Sequence, residues 1–351
     1  MSATFLSNTV SSARHRGRPH TDPGAGLFCA CRCSRLAHLL SAPHLLCIRP
    51  SGTMRPHHPL PARSVPPSLM QLSCPACAAP TEHRLLYSKN GCDILRCEQC
   101  GLGRAQASGF DPGTYYTDDY FSGGHADGYA DYRGAEPVLR REFAGTVDFI
   151  RRHRDGGRLL DVGCAYGFFL QEAKRFYDVA GIEIAKDAAD YCREQGLRVV
   201  TGIADEGNLA RFGKLDVIVL LDVIEHLPSP QETLALCARH LNDGGIIVIT
   251  TGDFASAYAR LAGTHWRLMT PPQHLWYFTR ASIERFARPL GLRMESFGHP
   301  WKIVPISLIT FQLRRMLGLR PAGTPAASRV GVPVNLFDAM RIVLRKGERV
   351  A

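Results

Sequence analysis

The fold class predicted by the sequence is a doubly wound, mostly parallel α/β sheet behind a small cysteine-rich domain. Three observations carry it. From residue 136 to about 253, strand-like apolar runs alternate with amphipathic helical runs, the pattern of a parallel sheet covered on both faces by helices. "LDVIVLLDVI" and "IIVITTG" are apolar without interruption, as strands buried on both sides must be. Five of the twelve cysteines fall between Cys74 and Cys100, four of them as "CPAC" and "CEQC".

Each segment follows from its own residues. Residues 1–70 are rich in Arg, Ser, Pro and His with a single acid, and are expected to be a disordered or non-native extension. A transit peptide would have a similar composition, and Met54 or Met70 could be the true start. Residues 71–105 hold the cysteine domain, and 106–135 form a Tyr- and Gly-rich connector or lid. The catalytic domain is placed at 136–300.

"EPVLRREFAGTVDFIRRHR" puts Val138, Leu139, Phe143, Val147 and Ile150 on one helical face. Then follow the strand "RLLDVG", helix "FFLQEAKRF", strand "DVAGIEI", helix "KDAADYCREQG" and strand "LRVVTG". "SPQETLALCARHLNDGG" reads as a helix opened by Ser229 or Pro230 and stopped by glycines. Residues 301–351 are expected to be a C-terminal helical segment. Within it Ile306–Pro321 is a basic amphipathic helix with Arg314, Arg315 and Arg320, and "VNLFDAMRIVLRKGERVA" is a final helix.

Charge narrows the partners. Of a formal net charge of +10, residues 1–70 carry +7 and residues 310–351 carry +6, which leaves −3 for 71–309. A body of that sign with no basic aromatic stripe disfavours nucleic acid and favours a small-molecule substrate. The basic helix at 306–321 admits peripheral contact with an anionic membrane, against the plainer reading of a docking helix. The longest apolar candidate, Ile303–Thr310, is too short to span a bilayer and contains Pro305.

"LLDVGCAYGFF" raises the question of the ligand. Its spacing is not that of a dinucleotide fingerprint, and Ala165 stands where a third glycine is expected. Asp161 at the mouth of the turn repels a pyrophosphate but suits an ammonium or sulfonium. About twenty residues on, Glu183 ends the second strand, where an acid accepts ribose hydroxyls. A ligand with a ribose, a cation and no diphosphate is S-adenosylmethionine.

With "VAGIEI", "LDVIVLLDVIEHLPSP" and "LNDGGIIVITT" following in order, the chain from Arg158 to Asp253 resembles the class I S-adenosylmethionine-dependent methyltransferases, which have a Rossmann-like fold. The resemblance implies that Asp161, Gly163, Ala165 and Gly167 surround the methionine portion. It implies that Glu183 holds the ribose and that Leu221 and Asp222 lie under the methionine portion. Relatives place an acid after the glycine matching Gly202; here Ile203 stands there, and Asp205 is the substitute candidate, with a solvated loop acid as the rival reading. For Asp222 the rival is helix capping.

Two histidines are candidates for the general base, His226 in "DVIEHL" and His274 in "TPPQHLWYFT", because imidazole titrates near neutral pH. A structural role for His226 and Glu225, bridging the loop to a neighbouring element, is the competing reading. Trp276, Tyr277 and Phe278 read as core more than as a stacking platform.

Cys74 and Cys77, nineteen residues ahead of Cys97 and Cys100, have the spacing of a zinc ribbon. An all-thiolate set leaves no open position, so the zinc would be structural. Clustered cysteines of this kind belong to a reducing, cytoplasmic setting. The sequence thus predicts methyl transfer to a small molecule, a sugar or other secondary metabolite, at oxygen. Ribosomal RNA methylation and a non-catalytic zinc-ribbon interaction protein are the alternatives.

Overall fold

Strands β1 (Leu69–Cys74), β2 (Ala79–Lys89), β3 (Cys92–Cys97) and β4 (Gly103–Gln106) form an antiparallel meander in the computed structural model. The structure describes residues 69–107, 115, 132–306, 309–310 and 330–347. All of them belong to one compact unit, Arg63–Ala351. Asn90 and Gly91 join β2 to β3 with φ of 50° and 75°, the left-handed pair that a two-residue hairpin turn requires.

Helix α1 (Glu136–Arg151) follows, with proline in its first turn and Val138, Val147 and Ile150 buried. Leu139 and Phe143 from the predicted face are partly buried against an aromatic cluster. The alternating region then runs β5 (Arg158–Val162), α2 (Phe168–Ala173), β6 (Asp178–Glu183), α3 (Lys186–Glu194), β7 (Val199–Thr201), α4 (Glu206–Ala210) and β8 (Leu215–Leu221). A 3₁₀ turn at Ile224–His226 leads into α5 (Pro230–His240), β9 (Leu241–Gly252), α6 (Ala257–Ala262), β10 (Trp276–Tyr277) and α7 (Arg280–Ala287). The remaining strands are β11 (Leu292–Gly298), β12 (Lys302–Pro305), β13 (Gly331–Val334) and β14 (Ala339–Lys346).

The main sheet has the order β11-β14-β9-β8-β5-β6-β7. Its β9-β8-β5-β6-β7 part is parallel, and β14 pairs antiparallel with both neighbours. Strand alternation builds two cores. Ile218, Leu220, Ile247 and Ile249 face one, with Leu234 and Cys237 of α5 and Ile283 and Phe286 of α7. Val217, Val219, Ile246 and Val248 face the other, with Val147 and Ile150 of α1.

Three sequence readings are corrected. The expected helix over residues 334–351 is instead β14, with β13 ahead of it, and β12 is a strand as well. The physical reason is in the sheet: β9 and β11 each need a partner, and Met340, Ile342 and Leu344 alternate into the first core. The helix over 230–240 stops before Asn242 and runs directly into β9, so the glycines at 244 and 245 lie inside the strand. Of the aromatic trio, Tyr277 and Phe278 are core, whereas Trp276 is half-buried under Arg104 and donates its indole N–H to the Leu227 carbonyl at 2.9 Å.

Residues 1–68 of the extension expected at 1–70, most of the connector and most of the predicted basic helix at 306–321 lie outside the described residues, while Leu69 and Met70 belong to β1, paired with β2, rather than to the extension. Among those described, no helix is long and apolar enough to cross a membrane.

Candidate functional site

The turn after β5 is held by three left-handed residues: Gly163 (φ 76°), Ala165 (φ 46°) and Gly167 (φ 73°). A Cβ on Gly163 would stand 2.7 Å from Val223 Cγ2, and one on Gly167 2.6 Å from Leu197 Cδ1. Both glycines are therefore needed for conformation and for space. Ala165 adopts the same region at some strain, which is why glycine is the commoner choice there. The Gly163 and Cys164 amides donate to the Ile182 carbonyl at 2.8 and 3.2 Å, fixing the turn to β6.

Glu183, at the tip of β6, is buried and accepts from the Ala165 amide at 2.7 Å and the Ala185 amide at 2.8 Å. One oxygen takes each amide, and each keeps a lone pair for a further donor. Burial raises its pKa, and the two amides counter that rise. Asp161 is only 2% exposed, and its Oδ1 has no hydrogen-bond partner among the described residues. Burial, with the neighbouring Glu183 charge second, pushes its carboxyl up to about 8. An orphaned carboxyl oxygen beside a second acid asks for a cationic donor. The residues present thus fit a sulfonium- and ammonium-bearing ligand and oppose an anionic one.

Asp222 closes β8 with a φ of 56°. It does not cap the following turn. Its Oδ1 accepts from Thr250 Oγ1 at 3.0 Å, and its Oδ2 accepts from Lys302 Nζ at 2.5 Å. Lys302 and Asp222 hold each other's charge: the carboxylate is drawn below its usual range by the ammonium, against burial. Leu221, the residue before it, is partly buried against the second core. Asp205 sits elsewhere in role: it is exposed and caps α4 by accepting the Asn208 amide at 2.8 Å.

The structure brings the two histidines together. His226 and His274 meet edge to face, ring centroids 4.7 Å apart. His226 Nδ1 lies 2.9 Å from the Gln273 carbonyl, which fixes it as the protonated nitrogen of a neutral ring and turns Nε2 into the basic one. Burial lowers the His226 pKa to about 4 and that of His274 well below its usual value, with the adjacent imidazole as a second cause for His274. Glu225 is buried beside them, its Oε2 without a hydrogen-bond partner among the described residues, and burial raises it to about 8. Glu225, His226 and His274 offer ligand atoms within 4.8 Å of one another, so the trio can also hold a cation.

Cys74, Cys77, Cys97 and Cys100 converge as the second such cluster. Cys74 and Cys100 sulfurs are 3.6 Å apart, and Cys77 and Cys97 sulfurs 3.9 Å apart. A disulfide would need about 2.05 Å. A tetrahedral ion with metal–sulfur bonds of about 2.3 Å has sulfur–sulfur edges of about 3.8 Å. The Cys74–Cys100 contact draws the Cys74 thiol down and pushes Cys100 up, so one sulfur of that pair is held as the thiolate that a metal binds. Cys92 stands outside the cluster, near the Asn90 carbonyl.

Residues 135–296 match the family described as "Methyltransferase domain". The ubiquinone biosynthesis O-methyltransferase of Burkholderia pseudomallei is 30% identical over 155 residues, 40% of this chain and 67% of that protein. The chain belongs to the class I S-adenosylmethionine-dependent methyltransferases. The ubiquinone biosynthesis O-methyltransferase of Methylococcus capsulatus is 29% identical to this methyltransferase over 195 residues, 50% of this chain and 82% of that protein. A solved methyltransferase of Archaeoglobus fulgidus aligns with 22% identity and a TM-score of 0.41, covering 59% of this chain and 94% of that one. In such enzymes S-adenosylmethionine supplies a methyl group already activated on a sulfonium.

Residue reasoning missed Lys302, Glu142 and Arg341, which line a narrow cleft with Asp222. They come from β12, α1 and β14, and no local motif announces them.

Proposed function

We propose that this methyltransferase moves the methyl group to an oxygen of a small-molecule acceptor lying over the carboxyl ends of β8 and β9. The observation that carries the reading is the contact of two imidazoles, half-buried His226 just after β8 and buried His274 from the loop before β10, in the same chain as the acid-lined turn. Asp161, Gly163, Ala165, Gly167 and Glu183 would hold the cofactor, with Leu221 and Asp222 beneath its methionine part. His226 would take the proton from the acceptor hydroxyl, oriented by the Gln273 carbonyl and buttressed by His274. Oxygen as the acceptor atom is supported by relatives named as O-methyltransferases of ubiquinone biosynthesis. Asp205, as a helix cap, is a weaker adenine contact than the sequence alone suggested.

The test is turnover. The full chain should methylate hydroxylated aromatic and sugar acceptors, read by mass spectrometry. His226→Gln should lower kcat by about 10²- to 10⁴-fold, the usual contribution of a general base, while binding of the demethylated cofactor is retained. Because the imidazole of the free enzyme titrates near 4, kcat/KM should show no histidine limb between pH 7.5 and 5.5. A limb near 6.5 that vanishes in His226→Gln would also identify the base, but would contradict the burial argument.

We infer further that the four clustered cysteines bind one structural Zn²⁺, and that residues 71–105 are a zinc ribbon. Purified protein should hold close to one zinc per chain, and Cys97→Ser should lose it. The connector at 106–135 is read as a cover for the cofactor turn: Tyr115 and Tyr132, two of its described residues, belong to the aromatic cluster around Ala165, Tyr166 and Phe168. Free thiols throughout the described residues suit a reducing cytoplasmic setting.

A further inference from the structure

A cleft beside Asp222 carries one more reading, which rests on the small-molecule acceptor proposed above. It is lined by Glu142 and Phe143 of α1, Asp222, Trp301, Lys302 and Arg341. Arg341 lies opposite Thr250 in the β14–β9 register, and Thr250 is the residue that anchors Asp222. The cleft therefore opens at the carboxyl end of β8, where the methyl group must be delivered.

Two carboxylates, Asp222 and Glu142, and two cations, Lys302 and Arg341, line the cleft, and only one of the two possible ion pairs is made. Asp222 is matched by Lys302. Glu142 accepts from the Ile303 amide at 3.1 Å; burial raises its pKa, and the Lys302 and Arg341 charges oppose that rise. Arg341 feels Glu142 across the cleft without touching it. Among the described residues its guanidinium has no carboxylate within ion-pair distance and no hydrogen-bond acceptor; its one close contact is the Phe149 ring, 3.7 Å from Cζ. Burial and the nearby Arg152 pull its pKa down to about 10, with the Glu142 charge opposing them, so it is charged at neutral pH with no anion in contact.

We propose that Arg341 anchors a carboxylate carried by an aromatic acceptor, and so sets the enzyme's preference for acidic over neutral substrates. A guanidinium presents parallel N–H donors that match a carboxylate in fork geometry. The cleft is narrow, with about 20 Å³ of free space, so a carboxylate would meet Arg341 at its mouth and a ring would stay outside. Trp301, 66% exposed, stands at it as a flat surface on which a ring can lie. The hydroxyl to be methylated would then face Asp222 and the β8 end while the carboxylate reaches Arg341.

Calorimetry on the full chain loaded with the demethylated cofactor tests this with two probes, 3,4-dihydroxybenzoic acid and 3,4-dihydroxybenzamide. They share ring and hydroxyls and differ in charge. The acid should bind at least about ten-fold tighter, the scale of one charged hydrogen-bonded pair. Arg341→Gln should reduce the preference to within about two-fold, and Arg341→Lys should keep part of it. Equal binding of the two probes to the native chain, no binding of either, or a preference that survives in Arg341→Gln would overturn the proposal. If Arg341→Gln fails to fold, as loss of cofactor binding would reveal, the native comparison and Arg341→Lys still decide. Methyl transfer to each probe, run alongside, separates the two readings. Transfer to both with no preference for the acid leaves O-methylation standing and removes the anchor; preferential binding of the acid without transfer does the reverse.

Discussion

At the scale of single residues, the two acids under the glycine turn make a pH prediction. The unfolded Asp161 carboxyl titrates near its ordinary value of about 4, and the native one near 8 because burial and Glu183 oppose its charge. Between those values the unfolded chain is ionised and the native chain holds the proton. The contribution of Asp161 to stability of the free protein therefore falls as pH rises through that window. A cationic ligand reverses the preference, because it favours the carboxylate. Cofactor affinity should accordingly rise as pH goes from 6 to 8, by up to about ten-fold per unit, with proton release. Titration calorimetry in buffers of different ionisation enthalpy measures that release directly, and Asp161→Asn should weaken binding and flatten the profile. A flat profile in the native protein would show that Asp161 is not the group that meets the positive charge.

At the scale of elements, the parallel strands were legible because burial on both faces leaves its mark on every position, as in Val217 through Leu220. The acids at the strand ends were legible because their place in the chain fixes their place in the sheet. Strand β14 was not. Its sequence "AMRIVLRK" alternates Met340, Ile342 and Leu344 with Arg341, Val343 and Arg345, yet the flanking residues also continue a helical pattern. What decides between the two is the space between β9 and β11, supplied by residues some forty to a hundred positions earlier. The same distance hid Lys302 and Arg341 from the sequence reading, since the cleft exists only after β12 and β14 have joined α1. If β14 completes the core as described, Ile342→Ala should cost about 2–5 kcal/mol in urea unfolding, like other buried aliphatic truncations. A helical residue exposed at the chain end would lose far less.

For the whole molecule, the question is whether the cysteine domain is an attachment or part of the body. Strand β10 leaves the catalytic region and pairs with β4, Trp276 opposite Arg104 and Tyr277 opposite Gly103. Thr279 caps α7 and also donates its hydroxyl to the Cys100 carbonyl at 3.0 Å. Cys74, Cys97, Cys100 and Leu102 share one apolar cluster with Phe278, Ile283 and Phe286. Gly103 has no room for a side chain: a Cβ there would stand 2.8 Å from both Phe254 Cε1 and Tyr277 Cβ. Two bodies that share a sheet and a core should unfold together, because neither can expose its half of the shared surface alone. Scanning calorimetry of the full chain is therefore expected to show one transition. Removing the proposed zinc with a chelator should move that whole transition down in temperature, since a ligand held only by the native state stabilises everything folded with it. Two separated transitions, with the upper one indifferent to the chelator, would mean that the cysteine domain is independent of the catalytic body and that the shared strand pairing contributes little to its stability.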